Sequence, residues 1–99
     1  MGVIPTHLFG LASLETLDLQ SNNFTGVIST TIGTAPALKN FNVETNSLSG
    51  SIPTEIVDMS ALTSLNLGNN KLQGPLPSSL FGLRSLEELH VHGNQLTGT

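Results

Sequence analysis

Apolar residues along this chain keep a fixed beat. A triplet recurs at Leu14/Leu17/Leu19, Leu38/Phe41/Val43, Leu62/Leu65/Leu67 and Leu86/Leu89/Val91, each set 24 positions after the last. Within a triplet the last two members are two apart, so on an extended segment they share one face, while Thr16, Asp18 and Gln20 take the other. That alternation predicts a short strand. A second apolar set follows each triplet, with Ile28 and Ile32, Ile52 and Ile56, and Leu76 and Leu80 as members. Its spacing is closer to helical than to extended, and prolines at Pro5, Pro53 and Pro77 remove backbone donors there. The second half of each unit is therefore predicted to return as a turn followed by an irregular or 3₁₀ segment.

Polar positions keep the same time. Asparagine recurs at Asn22, Asn46, Asn70 and Asn94, and glycine at Gly2, Gly26, Gly50, Gly74 and Gly98. A unit this short cannot bury its apolar edge alone, so its strand must pair in parallel with that of the next unit, and stacking creates the core. Each coil then has one sharp turn that leaves backbone groups facing inward. A side-chain amide both donates and accepts, so a column of asparagines at Asn22, Asn46, Asn70 and Asn94 can satisfy those groups coil after coil. Glycine suits the following bend, where a Cβ would crowd the neighbouring coil. The expected fold class is α/β, a solenoid in which parallel strands alternate with turns and 3₁₀ or irregular segments. Residues 14–37, 38–61 and 62–85 form full units, flanked by half units at 2–13 and 86–99, all within a single segment over 1–99. The string Leu-Phe-Gly-Leu occurs identically at 8–11 and 80–83.

Composition narrows the functional classes. Only 10% of the residues are charged, against roughly 25% in an ordinary soluble domain. Three basic residues face seven acidic ones, for a net charge of −4, so a field that would draw in nucleic acid is absent. There is no cysteine, which excludes disulfides and thiolate metal sites. No apolar run approaches the roughly 18 residues needed to cross a bilayer. The opening Met1-Gly2-Val3-Ile4-Pro5 lacks the charged and apolar regions of an export signal. Direct membrane insertion of this segment is not expected.

The units resemble the plant-type leucine-rich repeat, whose pattern is LxxLxLxxNxLxGxIPxxLxxLxx. Leu62-Thr63-Ser64-Leu65-Asn66-Leu67-Gly68-Asn69-Asn70-Lys71-Leu72-Gln73-Gly74-Pro75-Leu76-Pro77 follows it almost letter for letter. Departures fall on the convex side, where Ser29 replaces the proline and Thr34-Ala35-Pro36 is less regular than its counterparts. The resemblance implies a right-handed curved solenoid with a parallel sheet on its concave side, as in the ectodomains of receptor-like kinases and receptor-like proteins. It further implies a non-enzymatic scaffold that binds a protein or peptide, at the cell surface or outside the cell. Secreted inhibitors of cell-wall-degrading enzymes, and a structural spacer within a longer array, are the alternatives. Family ectodomains carry cysteine-paired caps that this chain lacks, so flanking repeat units are expected beyond it.

In such a solenoid the outward strand positions form columns across the concave face. They run Thr16, Asn40, Ser64, Glu88; then Asp18, Asn42, Asn66, His90; then Gln20, Glu44, Gly68, His92. These side chains are not required for packing and form the candidate binding face, the alternative being an ordinary solvated sheet. Glu88, His90 and His92 alternate along one strand and could offer two imidazoles and a carboxylate to a metal. The sequence shows no fourth ligand or supporting partner, so no metal or other cofactor is expected. No serine, histidine and acid spacing suggests nucleophilic catalysis, and no catalytic residue is assigned. Asn23-Phe24-Thr25 is the one acceptor triplet for N-glycosylation, placed at the turn after a strand. Met1 to Thr6 also fits an N-myristoylation pattern, but repeat register accounts for Gly2 and Pro5 there.

Overall fold

In a computed structural model that describes residues 2–97, the period of the sequence becomes the period of the backbone. Six three-residue strands form: β1 (Thr16–Asp18), β2 (Asn40–Asn42), β3 (Ser64–Asn66), β4 (Gln73–Pro75), β5 (Glu88–His90) and β6 (Gln95–Thr97). The main sheet is parallel throughout, in the order β1-β2-β3-β5. Its register joins Leu17 to Phe41, Phe41 to Leu65 and Leu65 to Leu89, so the pairing offset equals the sequence repeat. The ladder runs on past the strands, with Ser21 N–H donated to Glu44 O at 2.8 Å, Thr45 N–H to Gly68 O at 3.0 Å and Asn69 N–H to His92 O at 2.8 Å.

The return half of each coil is a 3₁₀ turn: η1 (Thr6–Gly10), η2 (Thr30–Thr34), η3 (Thr54–Asp58) and η4 (Ser78–Gly82). Each follows an extended residue, Pro5, Ser29, Pro53 or Pro77, whose carbonyl accepts from the amide three positions on. Ser29 does more than stand in for proline. Its hydroxyl accepts from Thr31 N–H at 3.1 Å, a cap that proline cannot supply. With that cap η2 is as long as the other three turns, so the departures at Ser29 and Thr34-Ala35-Pro36 leave the convex side regular. Among the described residues there is no α-helix, and no helix is long and apolar enough to cross a membrane.

A second ladder, not anticipated from the sequence, stitches the coils along another flank. Strand β4 pairs with β6 in parallel, and isolated bridges join Val3 to Thr25 and Val27 to Ser49. Each of these pairs is 22 residues apart, as in Gln73 with Gln95, two short of the repeat, so this flank is staggered relative to the main sheet. The glycine column lies here. Gly50 has φ +75°, and a Cβ on it would stand 2.8 Å from Val27 Cγ1, so both the backbone conformation and the close approach of the preceding coil require glycine. Gly98, the last member of the column, and Met1 lie outside the described residues.

The asparagine column bridges coils as its chemistry suggests. Asn70 Oδ1 accepts from Leu48 N–H at 3.0 Å, while Nδ2 donates to Val43 O at 3.0 Å, Gly68 O at 3.0 Å and Leu67 O at 3.3 Å. Asn46 and Asn94 repeat the arrangement, accepting from Phe24 and Leu72 N–H and donating to carbonyls of both coils they join. Asn22 bonds only within its own coil, to Leu19 O and Gln20 O, both at 3.0 Å. The residue before each asparagine, Ser21, Thr45, Asn69 or Gly93, adopts positive φ between 54° and 68°. The turn thus demands a left-handed residue in every coil, and only two of the four are types that accept it readily.

Burial is graded along the stack, as expected where each coil touches only its neighbours. Leu38, Phe41, Val43, Leu62, Leu65 and Leu67 are fully buried, whereas Leu86, Leu89 and Val91 are partly exposed. The two Leu-Phe-Gly-Leu strings therefore behave differently. Phe9 is buried, its ring set edge-on to Phe41 at 5.8 Å. Phe81, on η4, is 71% exposed, because no described coil lies beyond it.

Candidate binding face

Main-sheet register carries the three outward columns onto one face, as the repeat predicts. Thr16, Asn40, Ser64 and Glu88 are direct cross-strand partners, and so are Asp18, Asn42, Asn66 and His90. Gln20, Glu44, Gly68 and His92 line up through the continuing ladder. The columns are alike in polarity but not in what their side chains are doing.

In the second column the side-chain oxygen is already used. Asp18 Oδ1 accepts from Gln20 N–H at 3.2 Å, Asn42 Oδ1 from Glu44 N–H at 3.0 Å, and Asn66 Oδ1 from Gly68 N–H at 3.0 Å. Each is an Asx-type turn that steers the chain out of the strand and into the left-handed bend. Three candidates read from the sequence as free for a partner thus also hold the backbone. The signal was present as Asp or Asn three residues before the left-handed turn residue, but it has meaning only once the turn is located. The fourth coil has His90 at this place.

In the third column glycine makes a gap. A Cβ on Gly68 would lie 2.7 Å from His92 Cε1 and 2.8 Å from His92 Nε2. The bare backbone lets His92 and Glu44 reach across an intervening coil, so that His92 Nε2 stands 3.6 Å from Glu44 Oε2. Glu44 Oε1 meanwhile accepts from Asn66 Nδ2 at 3.2 Å. Glu44 is the least exposed acid on the face, with 28% of its side chain accessible. The result is a cross-linked polar cluster of Glu44, Asn66 and His92 spanning three coils.

His90 turns instead toward Glu88, with Nε2 3.7 Å from Oε2. The imidazole rings of His90 and His92 meet edge-on at 6.3 Å. Their ring nitrogens therefore address carboxylates of different coils, and among the described residues no group of three His, Cys, Asp or Glu side chains is placed to hold a metal ion.

The first column is different again. Among the described residues, the side chains of Thr16, Asn40 and Ser64 make no hydrogen bond within the protein, so their donors and acceptors face solvent. No lysine or arginine stands in any of the three columns. Asn23, the glycosylation candidate, is exposed beyond the end of β1, off the sheet face.

A family model described as leucine rich repeat matches residues 12–72 and 36–96. No curated protein matches the chain. Solved structures do. A plant peptide hormone receptor, RGFR1 in complex with RGF2, is 36% identical with a TM-score of 0.96, over 99% of this chain and 16% of its own. The Arabidopsis receptor kinase HAESA, in complex with the peptide hormone IDA and the co-receptor SERK1, is 39% identical with a TM-score of 0.91, over 96% of this chain and 16% of its own. The BIR2 ectodomain from Arabidopsis thaliana is 37% identical with a TM-score of 0.93, over 98% of this chain and 51% of its own. This chain therefore spans about a sixth of the two hormone-bound receptors and about half of the third.

Proposed function

Since the chain belongs to the leucine-rich repeat family, with repeats of the plant type, we propose that its concave sheet face holds an extended peptide or protein segment. It does so as one stretch of a longer, extracellular, non-enzymatic receptor ectodomain. The observation that carries the reading is the first column. Thr16, Asn40 and Ser64 stand in register on three strands with side chains that make no hydrogen bond within the protein, and Glu88, paired with His90, continues the column on the fourth. Uncommitted donors and acceptors at a fixed spacing are what a polar ligand backbone can use. Two of the most similar structures are receptors solved with peptide hormones, which supports the same class of partner here. No aromatic residue lies in the three columns, so contacts on this stretch are polar and individually modest.

The test is to pan a displayed library of random linear peptides on the 99-residue chain, then measure the selected peptides against column variants by calorimetry. Thr16→Ala, Asn40→Ala and Ser64→Ala together are expected to weaken binding at least tenfold while leaving thermal stability unchanged. The convex substitution Thr31→Ala serves as the control and should leave affinity intact. Selected peptides that bind the triple variant as tightly as the parent would remove the face from the binding role and favour a spacer.

A further inference from the structure

We infer that Asn23 carries an N-linked oligosaccharide, attached before the first two coils close on one another. The asparagines of this chain divide by duty. Asn22, Asn46, Asn70 and Asn94 bind backbone between and within coils, and Asn42 and Asn66 form the Asx turns. Asn23 has neither duty. It is exposed, and among the described residues its amide makes no hydrogen bond. Its neighbours Phe24 and Thr25 alternate in direction, Phe24 half-buried against the core and Thr25 exposed, which leaves Asn23 and the Thr25 hydroxyl together on the solvent side. Only one coil is so equipped, because the equivalent places are Ser47, Lys71 and Gln95.

The reaction uses a lipid pyrophosphate-linked oligosaccharide, supplied with its transferase in the export compartment. The bond from sugar C1 to the pyrophosphate oxygen breaks, C1 joins Asn23 Nδ2, one amide proton is lost, and the lipid pyrophosphate leaves with the bonding electrons. No oxidation state changes. The folded protein is a poor acceptor, because the triplet's backbone is tied down: Phe24 N–H is held by Asn46 Oδ1 at 3.0 Å and Thr25 N–H by Gly2 O at 3.2 Å. Both restraints come from stacked coils, so transfer precedes stacking. Once attached, the sugar stands beyond the C-terminal end of β1. It shields that end of the first coil and leaves clear the opposite end of the strands, where Lys39 pairs with Glu15.

The 99-residue chain, secreted from cultured human cells behind a cleavable export signal, is expected to exceed its sequence mass by one oligosaccharide. Peptide N-glycosidase should remove the added oligosaccharide mass and leave aspartate in place of asparagine at position 23. Asn23→Gln and Thr25→Ala should each abolish the added mass with secretion retained, while Thr25→Ser keeps it. With purified transferase and lipid-linked donor, urea-unfolded chain should be modified and refolded chain should not. Secretion at the bare sequence mass, or an oligosaccharide that survives Asn23→Gln, would overturn the assignment. Equal modification of the folded chain would overturn the order of events.

Discussion

Replacing Asn70 with alanine isolates the energetic role of one rung of the asparagine column. Asn70 is only 9% exposed and is the most deeply placed of the four. Its Nδ2 donates to three carbonyls, but each keeps another partner when the amide is removed. Val43 O still accepts from Asn46 Nδ2, Leu67 O from Asn94 Nδ2, and Gly68 O from Thr45 N–H. The group that loses everything is Leu48 N–H, which donates to Asn70 Oδ1 and belongs to a fully buried residue. An orphaned buried donor costs about 1–3 kcal/mol, and the weakened carbonyls add about 1 kcal/mol, so the expected loss is about 2–4 kcal/mol. Asn22→Ala removes two exposed bonds within one coil, and Leu19 O keeps Asn46 Nδ2; about 0.5 kcal/mol is expected. Because a solenoid can open coil by coil, a single melting curve blurs such a difference. Amide hydrogen exchange resolves it. Leu48 N–H should exchange at least tenfold faster in the Asn70→Ala protein, tenfold being about 1.4 kcal/mol, and hardly change in the Asn22→Ala protein. Unchanged protection at Leu48, or equal losses for the two variants, would refute the claim that the column works by supplying an acceptor to the adjacent coil.

Three other outcomes follow from the geometry. Leu65→Ala, in a fully buried inner coil, should cost about 2–5 kcal/mol by urea unfolding, and Leu89→Ala in the partly exposed last strand roughly half of that. Thr45→Asn should raise stability by about 0.5–1 kcal/mol, since a β-branched residue at φ +59° is replaced by one that tolerates the left-handed region; a lower midpoint would mean the threonine is not strained. Gly68→Ala should swing His92 away from Glu44, seen as a changed His92 ring environment by NMR with little loss of stability, because the obstructed group is the end of a movable side chain.

Much of this fold was legible in the sequence because stacked coils force the backbone to repeat. Where Leu17, Phe41, Leu65 and Leu89 share a register, their equal spacing along the chain and their adjacency in space are the same fact. The asparagine column could be read for a similar reason, since only an amide satisfies donors and acceptors on both sides of one turn. The second ladder was hidden because its alternation, Phe24, Gly26, Ile28, runs through a glycine and ends at the serine or proline that starts the 3₁₀ turn, residues that argue against strands when read locally. Identical strings at 8–11 and 80–83 gave no hint that Phe9 is buried and Phe81 exposed, since the difference lies in the neighbouring coil. On the candidate face, position and direction were readable but duty was not. Until the turn is located, the letters do not separate Asn42, which holds the Glu44 amide, from Asn40, which holds nothing.

The division of labour among the columns also limits what this stretch can read in a partner. Neighbouring strands lie about 4.8 Å apart, so four coils present the first column over about 14 Å, which is the length of about five extended residues. Side chains on one face of an extended peptide repeat every 6–7 Å, longer than the coil spacing, so successive ligand residues cannot each meet a fresh coil in the same way. If the first column binds as proposed, recognition there would run through the ligand backbone or through one or two side chains. Selectivity then falls to the places where the repeat is broken. The breaks on this face are Gly68, which removes a side chain, and His90, which replaces the Asx residue of the other coils. Both lie in the third and fourth coils, on the half of the sheet far from Asn23, so on the proposed face the regular positions would grip a ligand and the irregular ones would choose it.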